Sequence, residues 1–413
     1  MTDRKIEHLF TYDINLLSTK LDSQGVAYDP SPVVKSVHTY GKNVWVLTAA
    51  CFHKFQWIGD LSGHDFDMLN YDELRYHELQ YKLVYQGSVR IPNGTGWVDR
   101  GFTNTWVTNS YYNWTVMTRI NNNTGVTGTV NAPTTMISNL TIADGKLWCV
   151  GSPPTDQGRT SSDLNRLYIY TGSSNTWASV EIPVKKQVTK CQVMNGNDGY
   201  VYVTNFNNFS VSRFNASTGA FDQTFRTNGY PMTLCTSPDR GVFSGSYAGM
   251  LTKINGLTGE VFNAHSTIDP AIQLVAQGEE YVWFLKIGNE GKLPEGDGND
   301  DNNDGKVRIC RLKRADNEVL ILKDDVDFPE GVTVGTPLSI DVSKPFKYKQ
   351  FNGTDWYEVN AIPHLFFVDD ANKLFMLKLD KFIMVEHQLK IESYSMISTG
   401  PNDYMGEIAQ GDS

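Results

Sequence analysis

The sequence predicts an all-β chain folded as a single β-propeller of four-stranded blades. Three observations carry this: a turn phrase that recurs along the chain, short alternating strands ahead of each copy, and a composition of strand and turn residues. The phrase reads Arg119-Ile120-Asn121-Asn122-Asn123-Thr124-Gly125, returns as Arg213-Phe214-Asn215-Ala216-Ser217-Thr218-Gly219, and again as Lys253-Ile254-Asn255-Gly256-Leu257-Thr258-Gly259. Its frame is basic, apolar, Asn, two free positions, Thr, Gly. The Asn can bond its own backbone two residues on and the Gly supplies φ > 0, so each copy makes a hairpin turn. From Asn121 to Asn215 is two units of about 47 residues, near the length of a four-stranded blade.

The chain of 413 residues holds 40% hydrophobic residues, among them 20 Tyr, 20 Phe and 9 Trp. That is ample for a large β core, since aromatics favour strands. The 35 Gly fit a fold with many tight turns.

Working along the chain, blades fall near 34–91, 94–132, 136–183, 188–228, 231–266 and 270–325, with a last stretch at 332–395. That stretch holds one irregular blade or two, so seven blades are expected, with six and eight as alternatives. Residues 1–33 form an N-terminal segment, in which the stretch 7–17 can add a strand to the last blade and remove its open edge. The propeller spans 34–395, interrupted near 59–80, 152–165 and 288–305, and 396–413 is a tail. Within blades, stretches such as Tyr200-Val201-Tyr202-Val203-Thr204-Asn205 show the period-two pattern of strands bounded by turns.

Tyr202-Val203-Thr204-Asn205, followed by Val211 and by Asn215 to Gly219, resembles the YVTN class of propeller repeat. The turns at 170–177 and 351–356 are similar to kelch repeats. The match covers three blades, from about residue 97 to 266; it implies the fold and carries no catalytic residue over.

The turns sort into two classes. Those between the third and fourth strands of a blade are the short Asn-Thr-Gly phrases, which read as structural. Those between the second and third strands vary: 50–53, 110–113, 152–165, 206–209, 246–249 and 288–305. Loop diversity on a rigid scaffold is where binding normally resides. Tyr111, Tyr112, Phe206, Phe209 and Tyr247 are therefore the candidate binding residues, with capping of the inter-blade core as the competing role.

Asp300-x-Asn302-x-Asp304-Gly305-Lys306 matches the opening of a calcium loop, with oxygens at positions one, three and five and the Lys306 carbonyl at seven. Position twelve is Arg311 rather than the Glu of an EF-hand, so a solvated acidic loop is the alternative to a calcium site. The eight histidines show neither HxH nor HExxH spacing, and no P-loop, dinucleotide fingerprint or Gly-x-Ser-x-Gly elbow is present.

Net charge is −10, which disfavours a nucleic-acid surface. No stretch approaches the length of a membrane span, and the N-terminus lacks a signal-peptide apolar region. Cysteines 51, 149, 191, 235 and 310 are widely spaced and odd in number, so thiols rather than disulfides are expected, as in a reducing cytosol.

These readings favour a non-enzymatic interaction or structural protein that joins other protein subunits. Its composition and insertions fit a virion component such as a phage tail or adaptor part. The stretch Lys349-Gln350-Phe351-Asn352-Gly353-Thr354-Asp355-Trp356 resembles strand–turn phrases of phage tail proteins. The alternatives are a carbohydrate-binding propeller that stacks glycan on its aromatic loops, and a hydrolase or lyase with an axial site.

Overall fold

A computed structural model describes residues 6–379. Outside the described residues lie 60–80, 92–97, 101–103, 109–115, 122–125, 132–136, 152–165, 184–191, 266–271, 278–280, 288–306, 314–318, 322–325, 344–346, 352–355, 361–363 and a few isolated positions. Tyr111, Tyr112, Asp300, Asn302, Asp304 and Lys306 all fall outside, as do the expected insertion loops and the tail.

The chain is all-β, with seven blades of the propeller type, antiparallel but for the parallel pairing of β1 (Ile6–Asp13) with β26 (Val326–Asp327). Its described strands form two compact units.

The first unit holds a blade of β2 (Val34–Tyr40), β3 (Asn43–Thr48), β4 (Cys51–Gly59) and β5 (Tyr81–Arg90). Its other blade joins strands from distant parts of the chain. In the order β26–β1–β31–β30–β27, it uses β1 (Ile6–Asp13), β26 (Val326–Asp327), β27 (Pro337–Val342), β30 (His364–Asp369) and β31 (Lys373–Lys378). β1 lies antiparallel to β31, from Glu7 opposite Lys378 to Asp13 opposite Lys373. A separate hairpin, β28 (Lys347–Phe351) and β29 (Trp356–Asn360), is inserted between β27 and β30. Ile14 and Leu17, on the 3-10 turn after β1, pack with Val37, Val46, Phe55, Phe366 and Met376 in one apolar cluster.

The second unit holds five blades, each a four-stranded meander. The first is β6 (Val98–Arg100), β7 (Asn104–Thr108), β8 (Val116–Asn121) and β9 (Thr127–Asn131), and the next is β10 (Ile137–Ala143), β11 (Lys146–Gly151), β12 (Arg166–Thr171) and β13 (Thr176–Glu181). The third is β14 (Val193–Asn195), β15 (Tyr200–Asn205), β16 (Ser210–Asn215) and β17 (Phe221–Arg226). The fourth is β18 (Pro231–Thr236), β19 (Gly241–Ser246), β20 (Met250–Asn255) and β21 (Val261–His265). The fifth is β22 (Ile272–Gln277), β23 (Tyr281–Ile287), β24 (Val307–Lys313) and β25 (Val319–Ile321).

Core lies between neighbouring blades: Trp148, Val150 and Leu167 of one pack against Val193, Val203 and Phe214 of the next. Second strands, covered on both faces, are buried almost throughout, as in β15 and β19, whereas the fourth strand β17 is exposed except at Phe225. A strand buried on both sides reads as a continuous apolar run, and an outer one as polar.

The turn phrase does what its residues dictate. Asn215 Oδ1 accepts from the N–H groups of Ser217 and Thr218 (3.0 and 2.9 Å), and Gly219 sits at φ 78°. Asn255 repeats this with Leu257 and Thr258 (2.9 and 3.1 Å), and Gly259 sits at φ 73°.

The basic residue of the phrase has a partner that its local sequence does not show. Arg119 lies directly opposite Trp106, Arg213 opposite Tyr202 and Lys253 opposite Phe243, and Arg311, which belongs to no copy of the phrase, lies opposite Trp283. In the first unit Lys54 lies opposite Trp45 in the same way. The Lys54 and Lys253 ammonium groups stand 5.4 and 5.6 Å from their ring centroids, and the Arg311 guanidinium 5.8 Å from Trp283. A cation over a ring face contributes about 0.5–2 kcal/mol, the more so when desolvated.

First strands would leave an unpaired edge, and side chains of the preceding blade cover it. Val193 N–H donates to Asn139 Oδ1 (2.9 Å) and Leu234 N–H to Gln192 Oε1 (2.8 Å). In the first unit Val37 N–H donates to Ser339 Oγ (3.2 Å) and Thr39 N–H to Asp341 Oδ2 (2.7 Å). Each bond satisfies a main-chain donor that burial would otherwise penalise.

None of Cys51, Cys149, Cys235 and Cys310 is in a disulfide. Among the described residues no helix is long and apolar enough to cross a membrane.

Candidate functional site

Three segments of the second unit meet: the β15–β16 turn, the β17–β18 connector and the β19–β20 turn. The first is anchored from beneath by buried Asn205, whose Nδ2 donates to Ser210 Oγ (3.2 Å) and Ser212 Oγ (2.8 Å). Above it, Phe206–Asn208 form a 3-10 turn that Phe209 ends in the left-handed conformation, φ 51° and ψ 45°. Only Gly, and at times Asn or Asp, enters that region routinely. A bulky side chain there stores strain, and such outliers cluster at functional sites.

The connector is tied to this turn and to the next. Thr227 N–H donates to the Phe209 carbonyl (2.7 Å), and the Thr227 hydroxyl donates to the Gly229 carbonyl (2.9 Å). Tyr247 N–H donates to the Tyr230 carbonyl (2.9 Å). Ser246 and Gly249 close the third turn: Gly249 N–H reaches the Ser246 carbonyl (3.2 Å), and Met250 N–H the Ser246 hydroxyl (3.0 Å).

The result is an aromatic surface. Phe209 and Tyr230 have ring centroids 4.3 Å apart, and Phe206 and Tyr230 4.9 Å, with planes tilted by 40° and 33°. Tyr230 thus stands between the two phenylalanines. Phe209 and Tyr230 are each 37% exposed and Tyr247 58%. Arg226 is the one charged residue in the segments 205–210, 226–231 and 246–250. Exposed rings among Asn, Ser, Thr and Gly, with one cation, can bury apolar area, stack and donate hydroxyl bonds.

Of the candidates read from sequence, Phe206, Phe209 and Tyr247 fall in these three segments, and Tyr111 and Tyr112 lie outside the described residues. Tyr230 stands outside the within-blade turns that the sequence singles out, in the connector between β17 and β18. Its signal was the phrase Asn228-Gly229-Tyr230-Pro231, a turn carrying an aromatic.

A second cluster lies at the β3–β4 hairpin. Asp29, Cys51 and His53 are buried, and their donor atoms lie within 4.8 Å of one another. Asp29 Oδ2 accepts from the Thr48 hydroxyl (2.5 Å) and pairs with His53 Nε2 (3.1 Å). Burial works to raise the Asp29 pKa, but hydrogen bonds from His53 and Thr48, with the nearby His53 charge, hold it below the ordinary carboxylate value. Oxygen, nitrogen and sulfur donors are a set that zinc accepts. Here the carboxylate oxygen already serves two partners, so the arrangement fastens Asp29 to the β3–β4 hairpin. Cys51-x-His53 was the sequence signal; Asp29, 24 residues from His53, gave none.

No family model and no curated protein matches the sequence. Solved structures do match. One is the WD40 β-propeller domain of Doa1, at 9% identity and a TM-score of 0.50, covering 85% of this chain and 94% of that one. The likeness shows the fold, a WD40-like propeller of seven blades.

Proposed function

We propose that this chain is a non-enzymatic interaction protein that engages a partner protein through the surface of Phe206, Phe209, Tyr230 and Tyr247. The fold is consistent with an interaction scaffold. The observation that carries the reading is Phe209, an exposed aromatic kept in a left-handed turn that glycine would occupy without strain. Aromatic side chains are enriched where binding energy concentrates, and truncating one costs about 2 kcal/mol or more when it is central.

The test is quantitative co-purification with the intact chain and with a Phe209→Ser, Tyr230→Ser, Tyr247→Ser variant whose circular dichroism spectrum matches the parent's at the assay temperature. A partner that binds the intact chain directly, after reconstitution from purified components, and loses at least about tenfold in affinity with the variant supports the reading. Equal affinity for both would refute it.

The narrower setting, a subunit joined to its neighbours in a virion, rests on composition and on the turn phrases. It is tested by retention of the chain in purified particles. Glycan is the second reading, favoured by the 58% exposure of Tyr247, because an open ring face can stack on a sugar. A glycan array with the same variant separates the two.

A further inference from the structure

Three Asn-Gly pairs lie among the described residues: Asn195-Gly196, Asn228-Gly229 and Asn255-Gly256. In such a pair the glycine nitrogen can approach the asparagine amide carbon, because no Cβ obstructs it. Two of the pairs have both reacting groups held. Asn195 Oδ1 accepts from Asn197 N–H (2.9 Å), its Nδ2 donates to the Ile142 carbonyl (3.0 Å), and Gly196 N–H donates to Tyr200 (3.0 Å). Asn255 Oδ1 accepts two main-chain N–H groups, and Gly256 N–H donates to the Arg240 carbonyl (3.4 Å).

Asn228 differs on every count. It is exposed, and neither its side chain nor the Gly229 N–H has a hydrogen-bond partner among the described residues. It also stands in the connector that carries Tyr230, next to Thr227, which is bonded to Phe209.

We infer that Asn228 is a site of spontaneous deamidation that remodels the aromatic surface. The chemistry is independent of the function proposed above; only its value as a regulator of binding rests on that reading. The Gly229 nitrogen, losing its proton to water or hydroxide, attacks Asn228 Cγ. The Cγ–Nδ2 bond breaks, ammonia leaves with a proton from solvent, and a succinimide ring remains. Water opens the ring at either carbonyl and gives aspartate or isoaspartate. One water is consumed, one ammonia is released, and nothing is oxidised.

Both products place a negative charge beside the rings. Isoaspartate also lengthens the main chain where there is little space. A Cβ on Gly229 would stand 2.8 Å from Ser246 Oγ and 3.1 Å from Ala248 Cβ. The connector must then shift, taking Tyr230 away from Phe206 and Phe209.

The experiment incubates the folded chain at mildly alkaline pH in heavy-oxygen water and maps each Asn-Gly pair by peptide mass spectrometry. Asn228 should convert on the order of tenfold faster than Asn195 and Asn255, which must first break hydrogen bonds. Equal or slower conversion at Asn228 overturns the inference. Hydrogen exchange on the aged chain reads the surface. Protection of the Thr227 and Tyr247 amides should fall in the parent and persist in aged Asn228→Ser, and conversion with protection retained overturns the remodelling. Neither measurement uses a partner, so a failure of the interaction reading would leave both results standing.

Discussion

Replacing Phe209 by alanine and, separately, by glycine should reverse the usual order of the two. Ordinarily glycine is the less stable by about 0.4–1 kcal/mol, because it frees the unfolded chain. At φ 51° and ψ 45° any residue with a Cβ meets a penalty of about 1–2 kcal/mol, which glycine escapes. The glycine variant should therefore exceed the alanine variant by roughly 0.5–1 kcal/mol. Both should fall below the parent. With the ring 37% exposed, about 100 Å² of apolar surface is buried against Tyr230 and its surroundings, a loss of about 2–3 kcal/mol at 25 cal/mol per Å². Phe209→Asn should lie between the two, since asparagine tolerates the left-handed region. Urea unfolding followed by circular dichroism, with equal slopes for all variants, measures the differences. If alanine proves as stable as glycine, the turn is not left-handed in solution, and retained strain no longer argues for a functional ring.

The half-buried His38 has its pKa lowered to about 4 by burial, below its ordinary 6.5. Between those values the unfolded chain binds the proton and the folded chain does not, so stability falls as pH drops from 6.5 towards 4. About 3 kcal/mol should be lost over that window, and His38→Gln should flatten it in pH-dependent urea titrations. Asn139→Ala should cost about 1–3 kcal/mol, because it strands the buried Val193 N–H, whereas alanine at exposed Asn228 should cost little; thermal melts compare them. If Asp300, Asn302, Asp304 and the Lys306 carbonyl hold calcium, EDTA should lower the melting temperature, and Asp304→Ala should abolish that shift. An EDTA-insensitive parent would leave the stretch a solvated loop.

The sequence was most legible where structure is local. Asn215, Gly219, Asn255 and Gly259 make their turns with groups two or three residues away, so the phrase revealed both the hairpins and the blade period. The last blade was ambiguous for a physical reason. It draws strands from both ends of the described chain and carries the β28–β29 hairpin inside it, so its period is broken along the chain. The aromatic surface was half legible. Phe206, Phe209 and Tyr247 lie in turns that could be compared between blades, whereas Tyr230 joins them only because one blade packs against the next. Tyr200, too, gave no sign that the Arg213 guanidinium would lie 4.2 Å from its ring centroid. The Thr48–Asp29–His53 chain was invisible, because Asp29 precedes the first blade strand and meets the hairpin only after folding.

The pairing of β1 with β31 sets a timetable for biosynthesis. A ribosome must add about 360 residues between Asp13 and its partner Lys373, which at about 5–20 residues per second takes tens of seconds. During that interval each middle blade can complete its own meander as it emerges. The leading strand, by contrast, has no antiparallel neighbour to join and offers its unpaired edge to any other nascent chain nearby. Stalled or truncated synthesis products that lack β31 should therefore be the aggregation-prone species, with β1 as their sticky element.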